Sequence, residues 1–402
     1  MKVLIAPDSF KESLSAADVS AALGEGVLGL CGGTQIDLCP MADGGEGTVE
    51  AVVAATGGRF VFTEVYDPLG SSIRARFGLV GPGAQANLPG ELGLAAAEVL
   101  AEGQGDLAGG GTAVIEMAAA SGLGLVGPAD RDPFRTTTFG TGQLILAALD
   151  AGVSQIIIGI GGSATVDGGC GCAQGLGVTF VRQDGQACVC GMGGGAMGDL
   201  GSIDMSDRDR RLEHVRIRVA CDVTNPLTGP SGAAAIYGPQ KGATAEMVEQ
   251  LDAGLGHLAE VIRRDVGVEV LNLPGGGAAG GLGAGLVAFT GATLERGVDL
   301  VAQAVGLQRR LGGVDLCITG EGKFDAQSGA GKTVSGVAQR ARAAGVPVIC
   351  IAGQVSDDAP VDLLDDVLAL VDGETTAAAA IRDPQPLLKA LAAKAMKAFL
   401  GR

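Results

Sequence analysis

Residues 156–177 read IIIGIGGSATVDGGCGCAQGLG, a run of isoleucines that stops in a glycine-rich turn holding one serine, one threonine and one aspartate. Ile156, Ile157, Ile158 and Ile160 have the apolar, β-branched character of a strand buried on both faces, as in a parallel sheet with a layer on each side. Gly159, Gly161, Gly162, Gly168 and Gly169 leave the backbone free to take positive φ and to let a ligand approach the main chain. A helix entered after such a turn presents unpartnered N–H groups to a phosphate or carboxylate. Ser163, Thr165 and Asp167 are there to cap that helix or to touch the ligand. The alternative reading of the stretch, taken alone, is an ordinary tight strand-to-helix connection.

The same arrangement recurs toward both ends. Residues 3–6 form a short apolar strand ending in PDSFKES (7–13), and Ser15 with Asp18 three residues on opens an amphipathic helix carrying Val19, Leu23 and Val27. The strand expected at 36–41 ends in ADGGEGT (42–48) before a second helix. Near the carboxyl end, 316–318 runs into TGEGKFD (319–325), and 346–351 and 363–370 predict two more strands before a closing helix at 387–400. Between these ends the rhythm differs. From about Phe60, short alternating stretches (Val61/Thr63/Val65, Ile73/Ala75/Phe77) indicate another sheet. Val215, Ile217, Val219 and Cys221 alternate with Arg216 and Arg218, predicting a strand with one wet face that delivers DVTNP (222–226). GPQKG (238–242) then leads into a helix.

The expected fold is therefore α/β with two α/β domains. A parallel, Rossmann- or flavodoxin-like sheet is built from both chain ends (1–60 plus 290–402), and 61–289 is an inserted domain with a mixed sheet. The cleft between them is the expected active site. Residues 81–111, rich in Gly, Ala and Pro, are expected to be a surface excursion.

Composition narrows the function. Lys plus Arg number 28 against 45 Asp plus Glu, a net charge of −17, which disfavours a nucleic-acid or membrane surface. A phosphate ligand then needs local lysines and a divalent cation. The nine cysteines are scattered, with one-residue spacing at Cys170/Cys172 and Cys188/Cys190, so reduced thiols and a cytoplasmic setting are expected over a zinc site. The uncharged stretch 275–294 reaches membrane-span length, but eight of its twenty residues are glycine, which favours a buried loop plus helix. The two histidines, His214 and His257, lie outside the glycine-rich segments, which disfavours histidine acid–base chemistry.

What repeats is a strand end with a carboxylate, glycines and often a lysine or hydroxyl beside it: Asp8/Lys11, Asp43/Glu46, Ser163/Asp167, Asp222/Asn225 and Glu321/Lys332, with Lys241 nearby. A single such residue is commonly a turn cap, but five strand ends and Lys241 together match phosphoryl transfer. Its catalysis is mainly positioning plus charge stabilisation, with a carboxylate to take the acceptor's proton. AQSGAGKT (326–333) approximates a P-loop with Ala326 in place of the first glycine, leaving Lys332 as a phosphate contact.

PDSFKESLSA, PMADGGEGT, RDPFRTTTFGTGQLI, IIIGIGGSATVDGG, RVACDVTNPLTG, YGPQKGA, GAAGGLGAGL and CITGEGKFDAQS, in this order from end to end, resemble the bacterial glycerate kinase family of the type that makes 2-phosphoglycerate. The resemblance implies ATP and Mg²⁺, D-glycerate as acceptor, and two α/β domains. Val166 departs from the family's usual Asn in that motif, and a polar contact to ligand or loop would be missing there. The expected catalytic residues are Asp222, Asp167 and Lys11, with Asp222 and Asp43 as Mg²⁺ ligands. Asp222 is first choice for either the proton acceptor or the metal. Substrate or phosphate contacts are expected from Asp8, Ser9, Asp43, Gly44, Gly45, Glu46, Arg131, Gly161, Gly162, Ser163, Asn225, Lys241, Glu321 and Lys332. A homodimer is left open. The rivals are a kinase for another small hydroxy acid and a non-catalytic nucleotide or anion sensor, and the many carboxylates argue against the latter.

Overall fold

The computed structural model describes residues 1–81, 110–329, 332–372 and 375–401, so nearly all of the stretch at 81–111 lies outside the described residues. Strands β1 (Lys2–Ile5) and β2 (Gln35–Leu38) open the chain. There follow β3 (Arg59–Tyr66), β4 (Ser72–Val80), β5 (Thr112–Glu116), β6 (Gln155–Gly159), a hairpin of β7 (Thr179–Arg182) and β8 (Leu200–Asp204), and β9 (Arg216–Ala220). The last are β10 (Thr293–Glu295), β11 (Leu316–Thr319), β12 (Lys323–Phe324), β13 (Val348–Ala352), β14 (Gln354–Val355) and β15 (Asp366–Ala369).

Both chain ends meet in one five-stranded parallel sheet, in the order β15-β13-β11-β1-β2. Val3 pairs with Leu316 and Ile36, so the first and last thirds of the chain are neighbours in the ladder. Counted within the sheet, the order is 2-1-3-4-5, doubly wound, with its switch point between β1 and β11. The second sheet has six strands, β10-β9-β6-β5-β4-β3. Its β5, β6, β9 and β10 are parallel, and β4 and β3 close it antiparallel. We propose these sheets as the cores of two domains; the mixed sheet runs from Arg59 to Glu295, so β10 belongs with it.

Alternation within β1 shows how the layers form. Val3 and Ile5 pack on the helix Ala16–Leu30 through Val19, Leu23 and Val27, and on Pro384–Leu400 through Leu388 and Ala392. Leu4 and Ala6 point the other way, into a cluster with Val49 and Val52 of the helix Thr48–Thr56 and Val298 and Val301 of Gly297–Ala304. Val80 and Val114 of the mixed sheet join that cluster, and Ile157 and Ala220 pack on Leu300. These two helices are thus a layer shared by both sheets. The opposite face of the mixed sheet, through Ile115, Ile156 and Ile158, is covered by Leu144 and Ile145 of Phe139–Asp150 and by Leu282 and Leu286 of Leu282–Thr290.

Ile156, Ile157, Ile158 and Ile160 are all at least 96% buried, as the isoleucine run predicted. The stretch 275–294 is a turn (Ala278–Gly281), the buried helix Leu282–Thr290 and β10. Among the described residues no helix is long and apolar enough to cross a membrane. The wet face expected for β9 is corrected. β9 lies inside the sheet, and Arg218 is buried with its guanidinium held by both carboxylate oxygens of Glu295 on β10.

Candidate active site

Five strand ends and one helical turn build the site. After β1, Phe10 and Leu14 exchange backbone hydrogen bonds across a tight reversal in which Glu12 takes positive φ (65°), and Lys11 sits exposed at its tip. After β2, residues 43–47 turn toward the other sheet. Gly44 has φ 90°, and a Cβ on it would lie 2.4 Å from the Ala220 Cβ, while a Cβ on Gly159 would lie 2.3 Å from the Gly44 carbonyl oxygen. The turn therefore rests directly on the tips of β6 and β9. Asp43 Oδ1 accepts from the Gly45 N–H at 3.1 Å. Glu116, at the end of β5, accepts from the Val49 N–H at 2.8 Å and so caps the helix Thr48–Thr56, whose N-cap Gly47 has no side chain for the task. At the end of β9, Asp222 Oδ1 accepts from the Gly297 N–H at 2.8 Å.

Between the two sheets these ends enclose a cavity of about 850 Å³. Of the residues expected from sequence, Lys11, Asp43, Gly44, Gly45, Glu46, Gly161, Gly162, Ser163, Asp222 and Lys241 line it. Asp222 lies open to solvent in the cavity yet is enclosed enough for desolvation, and secondly Asp43, to push its carboxyl up to about 6. Lys241 is 1% exposed and donates to Ser163 Oγ at 2.6 Å and to the Thr165 carbonyl at 2.7 Å. Burial presses its ammonium down to about 7 against a smaller opposing pull from Asp167.

A second group gathers at the switch point of the parallel sheet. Asp8 accepts from Thr333 Oγ1 and from the Ser9 N–H, and burial followed by repulsion from Asp43 raises its carboxyl to about 6. Glu321 is raised to about 7 by burial, opposed by a Ser328 hydrogen bond, with smaller effects from Asp8 (up) and Lys332 (down). Asp8, Ser9, Glu321 and Lys332 therefore sit together beneath the Asp43 turn and do not line the large cavity.

Three residues expected at the site do not line the cavity. Asp167 is fully buried, and its oxygens accept from the Thr138 N–H and hydroxyl, both at 2.7 Å, and from the N–H groups of Gly169 and Gly171. It ties the 132–139 loop to the turn behind the cavity and does not line the cavity. Asn225 donates to the Ser231 carbonyl and accepts from the Tyr237 hydroxyl, so both ends of its amide hold the loop. Arg131 reaches the Gln240 carbonyl and does not line the cavity. Val166 is fully buried in an apolar cluster with Met197, Leu251 and Leu255, so the residue that departs from the family pattern contributes packing.

Sequence reading missed Glu116, Arg76 and Tyr237, which also line the cavity. Glu116 carried the same signal as the others, a carboxylate at a strand end, but without adjacent glycines. Arg76, hydrogen-bonded to Glu50, arrives from the antiparallel edge and had no local signal.

The family model of the glycerate kinase family matches residues 3–400. The chain is 48% identical to the glycerate kinase of Bacillus subtilis (strain 168) and 48% identical to the glycerate 2-kinase of Escherichia coli (strain K12), in each case over 89% of this chain and 86% of the relative. The crystal structure of a Salmonella typhimurium LT2 protein provisionally assigned as glycerate kinase 2 superposes with a TM-score of 0.84 at 45% identity, covering 100% of this chain and 98% of that one. With a family model matching residues 3–400 and relatives 48% identical over 89% of its length, the chain belongs to the glycerate kinase family.

Proposed function

We propose that the protein transfers the γ-phosphoryl group of Mg-ATP to D-glycerate, giving 2-phosphoglycerate, in the cavity between the two sheets and in a cytoplasmic setting. The observation that carries this is the convergence of Asp43, Asp222, Lys11 and the Gly161–Ser163 turn on one cavity, from strand ends of both sheets. Mg²⁺ favours one or two carboxylates together with phosphate oxygens. A carboxylate facing the cavity beside a second one is a donor that fits it. Asp43 would hold the cation, whose chemistry when bound is to neutralise charge on the phosphates, and Asp222 is left free beside it.

The chain's own groups do the rest. Lys11 offers a cation to the phosphates at the mouth. Asp222, ionised above about pH 6, takes the proton of the acceptor hydroxyl as the phosphoryl group arrives. Glu116 holds the helix Thr48–Thr56, and with it the Asp43 turn, in place.

Incubation of the purified protein with ATP, Mg²⁺ and D-glycerate, followed by ³¹P NMR, is expected to yield 2-phosphoglycerate. A yield no greater than that of a metal-free control would overturn the assignment, and the 3-phosphate as product would overturn the regiochemistry.

A further inference from the structure

A lysine ammonium has three N–H donors. Those of Lys241 reach Ser163 Oγ and the Thr165 carbonyl, and among the described residues no acceptor is seen for the third. A cation this deeply buried is costly unless charge meets it. The nearby carboxylate, Asp167, spends its oxygens on Thr138, Gly169 and Gly171 and makes no ion pair with Lys241. Lys241 is thus held nearly dry on a cavity wall, a setting that gains from the arrival of an anion.

Ser163 completes the arrangement. Because its Oγ accepts from Lys241, its own hydrogen is turned elsewhere, and Ser163 also lines the cavity. Gly162 has φ 75°, and the N–H groups of Gly161, Gly162 and Ser163 take no part in the backbone hydrogen bonds found for this turn. Successive free N–H groups around a left-handed residue form an anion-binding concavity. The other cations lining the cavity are differently committed. Lys11 is exposed at the tip of the 10–14 reversal, and Arg76 is bonded to Glu50 and lies over the Phe60 ring.

We propose that Lys241 and Ser163 form the seat of the acceptor's carboxylate, and thereby restrict the substrate to a short hydroxy acid over a neutral polyol or amide. One spare N–H and one spare O–H, side by side, match the two oxygens of a planar carboxylate. The inference rests on the kinase reading given above and assigns it a specificity determinant.

Steady-state kinetics of the wild type, Lys241→Met and Ser163→Ala test it, with D-glycerate and D-glyceramide as acceptors. Lys241→Met is expected to raise the KM for glycerate about 10- to 100-fold, the scale of one or two charge-assisted hydrogen bonds. The KM for ATP should be unchanged, and the preference for glycerate over its amide should collapse. Ser163→Ala, which removes a single hydroxyl, is expected to raise the same KM about 10-fold and decides the matter should Lys241→Met not fold. An unchanged KM for glycerate, with the loss in kcat or in the KM for ATP, would assign the pair to the phosphates and overturn the proposal. A wild type that ignores glycerate but phosphorylates another hydroxy acid would overturn the proposed function alone. The same comparison made with that acid and its amide would still decide the seat.

Discussion

The carboxyl of Asp222 faces the cavity and spends one oxygen on a backbone N–H, whereas that of Asp167 is sealed from solvent and accepts from four donors. The same substitution should therefore have opposite effects. Asp222→Asn removes the proposed base and is expected to lower turnover about 10²- to 10⁴-fold. Its effect on stability follows from linkage. The folded pKa of about 6 lies above the ordinary 3.8, so the native state binds more protons between those values, and stability falls as pH rises from about 4 to about 6. The amide has no charge to desolvate, so at pH 7 the variant should melt at the wild-type temperature or above it, with the difference vanishing below pH 4. Turnover of the wild type should decline as pH falls and Asp222 takes up a proton. Asp167→Asn places an NH₂ group among four donors and should lose about 1–3 kcal/mol or more of stability. Thermal melts and kinetics on both variants distinguish the roles, and an Asp167→Asn protein that melts normally but does not turn over would reverse them. Both aspartates were expected to be catalytic because each follows a strand with glycines or hydroxyls nearby, although Asp167 could also cap a helix. Which one is buried depends on how the 132–139 loop folds over, a non-local outcome.

At the scale of elements, the site depends on how closely two turns approach. The Cβ of an alanine at 297 would lie 1.7 Å from the Asp43 carbonyl oxygen, and the Gly297 N–H is the donor that holds Asp222. Gly297→Ala must therefore separate the β2 turn from the start of the helix Gly297–Ala304, displacing the proposed metal ligand Asp43 and the proposed base Asp222 together. A displacement on the order of 1 Å costs about 10²-fold in rate, and the overpacking about 1–3 kcal/mol. Gly33→Ala, where a Cβ meets nothing within 4 Å, is the control and should change neither. Normal turnover in Gly297→Ala would show that the two turns need not touch. These turns were legible in the sequence because a strand, a glycine cluster and a carboxylate are local signals. The burial of Arg218 and the arrival of Arg76 were not, since each is decided by which strand lies alongside, and pairing is set by the whole sheet.

At the scale of the molecule, the proposed division of the chain into a discontinuous and an inserted part follows from a rhythm of strand, turn and helix that lapses near Phe60 and resumes past Gly285, and what the structure shows is two separate sheets. What sequence did not disclose is how much the two parts share. The helix Gly297–Ala304 presents Val298 and Val301 to the cluster that holds Leu4 and Val348 of the parallel sheet, and Leu300 to Ile157 and Ala220 of the mixed sheet. The helix Thr48–Thr56 joins the same cluster, where Val80 and Val114 of the mixed sheet also pack. Neither sheet can keep this layer if the other unfolds, because each would expose an apolar face across the cavity floor. The protein is therefore expected to melt in one calorimetric transition, with the van't Hoff enthalpy equal to the calorimetric one. Leu300→Ala, at a fully buried position between the sheets, should cost about 2–5 kcal/mol and shift that transition as a whole. If the two parts were energetically independent, the variant would instead split the melt, lowering one transition and leaving the other where it was. A split melt would mean that the cavity walls can move apart without unfolding. Because Asp43 follows a strand of the parallel sheet and Asp222 one of the mixed sheet, the spacing of the proposed metal ligand and base would then be set by the ligand and not by the shared helices.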